Sequence, residues 1–180
     1  STLEGIGRFS LEVVRELATQ RPDLHISLLF DHRPRLHVAL PGNTSIHVAP
    51  PPARHPLLYF IWFEWSVARM LGRLKPQLFL SPDGFLCHRS PIPQVPVIHD
   101  LGLEHDPSTT GWLESKYWRW QMPRSVQKAH RIITVSEFTK QDIKRHYPTA
   151  KKRPIDVVYN GVNEDIFTPT DAAAQLNVRQ

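Results

Sequence analysis

The chain has almost no cysteine and no long apolar run, and each lack excludes something. Cys87 is the single thiol in 180 residues. No internal disulfide can form, so packing must hold the fold, and a reducing, cytoplasmic compartment is the expectation. The most apolar stretch, residues 57–63, gives way to Glu64, Trp65 and Arg69. A bilayer-spanning helix needs about 20 apolar residues, so this stretch is not one. The first residues are polar and hold no apolar core of the kind a secretory leader needs. There is no Gly-x-Ser-x-Gly elbow, which removes the usual support for a serine–histidine hydrolase. The ten histidines are dispersed, with no companions at ligand spacing, so no metal is expected. Basic residues are scattered too. The single run, Lys151-Lys152-Arg153, reads as a solvated loop before a strand, and no nucleic-acid motif accompanies it.

What is present describes a soluble α/β domain. Hydrophobic residues make up 41% and charged residues 22%, which suits one domain with a full core. The 17 prolines cluster at Pro50-Pro51-Pro52 and over residues 91–96, which predicts stiff loops between apolar strands. The net charge of +5 and pI of about 9.6 favour an anionic partner, either a phosphate-bearing ligand or acidic lipid headgroups. Tyr59, Phe60, Trp62, Phe63 and Trp65 cover most of a helix circumference, so core packing competes with an exposed, lipid-facing role. Trp112, Trp118 and Trp120 read as core.

The spacing of Phe9, Val13, Val14 and Leu17 predicts an amphipathic helix over residues 7–20, with Gly5-Ile6-Gly7 as a loop directly before it. Strands are expected at 25–30 and, weakly, 45–48, then a helix over 56–74 opened by Pro56 and closed before Pro76. A second long helix is expected over 112–128, broken or kinked at Pro123. Ser136 is a natural N-cap for a helix to about residue 146. A single turn at 164–167 and an unfinished tail at 170–180 end the chain. The alternation gives a Rossmann-like, doubly wound parallel sheet. A glycine loop opening the first helix normally follows a buried strand, and only Ser1 to Glu4 precede it, so the first strand is expected to be missing.

Four apolar runs end in polar clusters: residues 78–80 into Ser81-Pro82-Asp83-Gly84, 95–98 into His99-Asp100, 132–135 into Ser136-Glu137, and 157–159 into Asn160-Gly161. Ligands of parallel sheets bind beyond the carboxyl ends of the strands, so these clusters mark one wall of a polar cleft. Gly5-Ile6-Gly7-Arg8 before a helix presents bare amides and positive potential to phosphate oxygens, though G-x-G is also an ordinary tight turn, and no third glycine completes a dinucleotide fingerprint. His99-Asp100 can be an acid/base pair, a sugar-hydroxyl clamp or half of a metal site. Equally, Asp100 can cap a turn while His99 fills the strand edge. Ser136-Glu137 is explained by helix capping alone, and Asp83-Gly84 and Asn160-Gly161 are turn dipeptides.

Taken in order, Gly5-Ile6-Gly7-Arg8-Phe9, Val97-Ile98-His99-Asp100-Leu101, the segment from Ala129 to Thr139, Val158-Tyr159-Asn160-Gly161-Val162-Asn163 and Phe167-x-Pro169 resemble the N-terminal half of retaining GT-B glycosyltransferases of the large mannosyltransferase-like group 1. The resemblance implies hexose transfer from a nucleotide-sugar donor to a glycan or lipid-linked acceptor, with retained configuration, no metal and no cofactor. It maps donor-diphosphate contact onto Gly5, Gly7 and Arg8, and contact with the transferring sugar onto His99, with Asp100 as its orienting neighbour. Ser136 and Glu137 would line the cleft, and Asn160-Gly161 would lead to the hinge. Glu4 stands where the family often has another glycine. On this reading residues 1–169 are the acceptor-side domain and 170–180 a linker to a C-terminal domain that carries most donor contacts, so the isolated chain is expected to be inactive. Peripheral contact at the inner membrane face through residues 57–65 is a further expectation. A GT-B-fold sugar-nucleotide epimerase and a non-catalytic doubly wound binding module are the rival readings.

Overall fold

The computed structural model describes residues 5–34 and 39–161. The expected turn at 164–167, the tail at 170–180, the motif residues Val162, Asn163, Phe167 and Pro169, and Ser1 to Glu4 lie outside them. So does the question of a strand before the first helix.

Helix α1 (Gly5–Gln20) opens the described chain and is followed by β1 (Ile26–Phe30) and β2 (Thr44–Val48). Next come α2 (Pro56–Ile61), a π-helical stretch (Trp62–Val67) and α3 (Ala68–Leu74), which continue one another. Strands β3 (Phe79–Ser81) and β4 (Gln94–Ile98) lead to the short α4 (Gly102–His105) and the long α5 (Trp112–Lys128). The rest is β5 (Ile132–Thr134), α6 (Glu137–His146), a 3-10 turn (Pro148–Lys152) and β6 (Ile155–Val157). All pairings are parallel. The strands form two ladders, β1–β2 and β3–β4–β5–β6. This is a Rossmann-like α/β architecture. With β3 to β6 parallel and adjacent, their carboxyl ends share one edge.

The core lies between the four-stranded ladder and the helices, and centres on Phe63, Val67, Leu71, Leu86, Ile98, Met122, Val126, Ile132 and Ile143. Gln94, on a central strand, is fully buried because its amide bridges the loop after β3. Nε2 donates to the Cys87 carbonyl at 2.6 Å, and Oε1 accepts from the Cys87 N–H at 2.9 Å. Ser125 Oγ accepts from Leu86 N–H, and Glu64 accepts from the amides of His88 and Arg89. Buried side chains thus satisfy the backbone of the segment that leads into the prolines. Asn43 likewise stitches α1 to the β1–β2 pair, donating to the carbonyls of Ala18 and Leu24 at 3.1 and 2.9 Å.

The π-helical stretch has a sequence cause. Tyr59, Phe63, Val67 and Leu71 recur strictly every four residues and all pack in the core. In an α-helix that spacing drifts by about 40° per step. The wider π turn takes up the drift, keeps the stripe on one face, and brings Glu64 inward as well.

Several expectations need correction. Gly5 and Gly7 form the first turn of α1 rather than a loop before it. Helix α5 runs through Pro123 to Lys128, because Met122, Ser125 and Val126 around the proline are buried and packing overrides the local break. The last strand lies two residues earlier than the apolar run of 157–159. Pairing of Ile132 with Ile155 and Thr134 with Val157 sets its register, and Asp156 is tolerated because Arg131 reaches its carboxylate at 2.6 Å. Val158 and Tyr159 are exposed. Trp112 is 71% exposed and Trp120 is also exposed, so of the three tryptophans on α5 only Trp118 packs against the core. Lys151, Lys152 and Arg153 are exposed, the lysines closing a 3-10 turn.

Candidate functional site

His99 sits at the carboxyl end of β4, the central strand of the shared edge. Its Nε2 lies 3.0 Å from the carbonyl oxygen of Pro82, in the turn that follows β3. A carbonyl can only accept, so this contact places a proton on Nε2. In the neutral ring, Nδ1 is left with a lone pair that can accept from a hydroxyl. Phe9 on α1 meets the ring edge-on at 4.8 Å between centroids, and Thr139 Oγ1 donates to the His99 carbonyl at 3.0 Å. Two parts of the chain therefore hold the imidazole, and a third holds the backbone that carries it.

Asp100 is exposed. Its Oδ1 accepts from Gly102 N–H at 2.8 Å, which makes it the cap of the turn into α4. Its second oxygen stays available at the same edge. Beside the pair, Asp83 accepts from Ser81 Oγ at 2.8 Å and from the hydroxyl of Tyr59. Burial, with the Asp83 carboxylate next, pushes the Tyr59 phenol well above its ordinary pKa. It therefore stays a neutral donor that holds Asp83.

Ser136 caps α6. Its Oγ accepts from Thr139 N–H at 3.1 Å and lies 3.0 Å from Thr139 Oγ1. Since the Thr139 hydroxyl proton goes to the His99 carbonyl, the Ser136 hydroxyl is the donor in that second contact. A chain of hydroxyls thus runs from the cap to the backbone of His99. Glu137 is exposed and pairs loosely with Lys140 at 3.4 Å. Asn160 and Gly161 are exposed beyond β6.

The first turn of α1 carries Gly5, Gly7 and Arg8. A Cβ added at Gly5 meets nothing within 4 Å, so no crowding within the described chain demands glycine there. Arg8 is exposed, and Phe9 directly after it touches His99. The helix start and the β4 edge are thereby neighbours, as a phosphate-and-sugar site would need. Sequence reasoning missed the Pro82 carbonyl, Phe9 and Tyr59 as partners. The turn Ser81-Pro82-Asp83-Gly84 was a signal for the first; the other two meet the site only through the tertiary fold.

Comparison with known proteins identifies the family. The model of Glycosyltransferase Family 4 matches residues 3–166, and the chain belongs to that family. Among curated relatives it is 28% identical over 158 residues to the O-antigen chain mannosyltransferase B of Escherichia coli, a match covering 81% of this chain and 41% of the relative. It is 25% identical over 114 residues to the O-antigen chain mannosyltransferase RfbU of Salmonella typhimurium, covering 62% and 31%. The chain thus spans less than half the length of these relatives.

Proposed function

We propose that this chain is the acceptor-side domain of a retaining GT-B glycosyltransferase. The full protein would move a hexose, with mannose the first candidate, from a nucleotide-sugar donor to a glycan or lipid-linked acceptor. The observation that carries the reading is His99 held at the strand-end edge by the Pro82 carbonyl, with the glycine-bearing start of α1 packed beside it through Phe9. The family match and the two mannosyltransferase relatives support the same class.

In this reading the amides at the start of α1 and Arg8 face the donor diphosphate. A helix N-terminus carries roughly half a positive charge, which favours a phosphate group. The free Nδ1 of neutral His99 accepts from a hydroxyl of the transferring hexose, and Asp100 accepts from another. The anomeric bond to the diphosphate breaks as the acceptor oxygen bonds to the same carbon from the same face. The nucleoside diphosphate leaves with that electron pair, and its departing phosphate oxygen takes the acceptor's hydroxyl proton. A second domain closes the site from the opposite side. Ser136 and Glu137 shape the acceptor wall and Asn160-Gly161 leads to the hinge. No metal or cofactor enters this scheme. The reaction is placed in the cytoplasm, with peripheral contact at the inner membrane face.

The full-length protein should transfer labelled hexose from at least one of a panel of nucleotide sugars to a membrane-extract acceptor. His99→Ala should lower kcat/KM about 10–100-fold, the effect of losing one well-placed hydrogen bond. No transfer from any donor, or transfer indifferent to His99→Ala, would overturn the proposal. A product that is an epimer of the donor would favour the epimerase instead.

A further inference from the structure

Beyond the strand-end edge, α4 and α6 bring together three side chains that are dispersed in the sequence. Asp142 and His146 stand four residues apart on α6, on one face of the helix. His105 arrives from α4, with its Nε2 2.6 Å from Asp142 Oδ2. His146 Nδ1 lies 3.2 Å from Asp142 Oδ1. The three ligand atoms lie within 4.8 Å of one another. The Asp142 side chain is 3% exposed, while His105 is 48% and His146 29% exposed. A buried carboxylate thus forms the floor, and two imidazoles line an opening to solvent.

Counting protons shows that this cluster is incomplete. His146 Nδ1 is 3.1 Å from the carbonyl oxygen of Asp142, one helical turn earlier, and its single proton goes there. Asp142 Oδ1 therefore has no hydrogen bond, although a nitrogen sits 3.2 Å away. A buried charged oxygen without a donor is costly, and a cation between the three groups would remove that cost. Two imidazoles and a carboxylate suit a borderline divalent ion such as zinc. With Zn–N bonds of about 2.0–2.1 Å, tetrahedral ligands stand about 3.3 Å apart. Asp142 Oδ1 and His146 Nδ1 already have that separation. His105 contacts the other carboxylate oxygen, and the widest pair of ligand atoms, within 4.8 Å, would close by up to about 1.5 Å through rotation of the partly exposed imidazoles. The flanks are fixed as well: Tyr147 donates to Glu104 Oε1 at 2.7 Å, joining the residue before His105 to the residue after His146.

We propose that His105 Nε2, the Asp142 carboxylate and His146 Nδ1 form a zinc site, with water in the fourth position. On binding, the His146 proton resides on Nε2, which frees the Nδ1 lone pair for the metal. The ion would clasp α4, the segment that leaves His99 and Asp100, onto α6. The proposal does not depend on the transferase reading.

The test uses intact, untagged protein stripped with a chelator and titrated with Co²⁺, then Zn²⁺. One equivalent of Co²⁺ should give the visible absorption of a low-symmetry nitrogen–oxygen site, and Zn²⁺ should abolish it. His105→Gln and His146→Gln should each weaken Co²⁺ binding by at least the ~10–100-fold that losing an outer partner costs, while His32→Gln should not. Both variants replace partly exposed side chains, and circular dichroism verifies their fold. The Tm of the unaltered protein should also rise with added Zn²⁺ and fall back with chelator. Absence of saturable one-to-one binding, or binding by both histidine variants as tight as that of the unaltered protein, would overturn the site.

Discussion

Gly84 holds the turn whose Pro82 carbonyl receives His99. Its φ of +83° lies in the left-handed region, and a Cβ there would stand 3.3 Å from Met122 Cε and 3.6 Å from the Val97 carbonyl. Gly84→Ala should therefore destabilise the protein by about 1–3 kcal/mol, the usual cost of such backbone strain. Urea denaturation of the intact protein checks this, and a midpoint matching the parent would show that the turn relaxes freely. At this scale the strand-end residues were legible, because a polar cluster after an apolar run reports its own position on a parallel sheet. His105, Asp142 and His146 were not. Asp142 and His146 share a helix face, but nothing local announces that α4 will deliver a histidine to them across 37 positions.

Helix α6 shows how one hydroxyl serves two elements. Ser136 caps the helix and, through Thr139, steadies the carbonyl of His99. Ser136→Ala should cost about 1 kcal/mol of stability, and Ser136→Asp should restore most of it by accepting from the Thr139 amide. Thermal or chemical denaturation of the pair decides the matter: equal loss in both would mean that the cap is not what Ser136 provides. Most elements could be read from spacing, start signals and proline stops; Ser136 and Glu137–His146 match the expectation residue for residue. The failures have physical causes. An apolar run at 157–159 promised a strand, but hydrogen-bond register with β5 placed it at Ile155–Val157. A proline at 123 promised a break or a kink; the helix is not broken there, because buried neighbours carry α5 through it.

Across the whole molecule, the two parallel ladders and their helices match the expected α/β class, whereas the aromatic surface had to be seen. Among the described residues no helix is long and apolar enough to cross a membrane. Trp62 is buried and donates to the Ala49 carbonyl at 2.6 Å, so it cannot face a bilayer. An open apolar groove of about 420 Å³ instead runs between α2 and α5, lined by Leu57, Phe60, Leu113, Lys116, Tyr117 and Trp120. Cations lie over exposed rings nearby, with Lys116 4.0 Å from the Trp112 centroid and Arg124 4.3 Å from that of Trp120. Rings that sit at headgroup level beside cations suit an anionic interface. Flotation with anionic vesicles should carry the intact protein upward, and the Trp112→Ser, Lys116→Glu double variant should largely stay behind; equal flotation would remove this face from the proposal.

The π-helical stretch lets this segment carry about one residue more than a plain α-helix of the same reach. Counted from Tyr59 in α-helical steps of about 100°, Leu71 would lie roughly 120° off the stripe, and the wider turn absorbs that error. Removing one residue between Trp62 and Val67 would let the helix close as a plain α-helix, with Leu71 only about 20° from the direction of Tyr59 and still in phase with it. Adding one residue would instead turn everything downstream by about 100° and put one side of the core out of phase with the other. The helix can give up a residue here but cannot take another, an asymmetry that no single side-chain substitution shares.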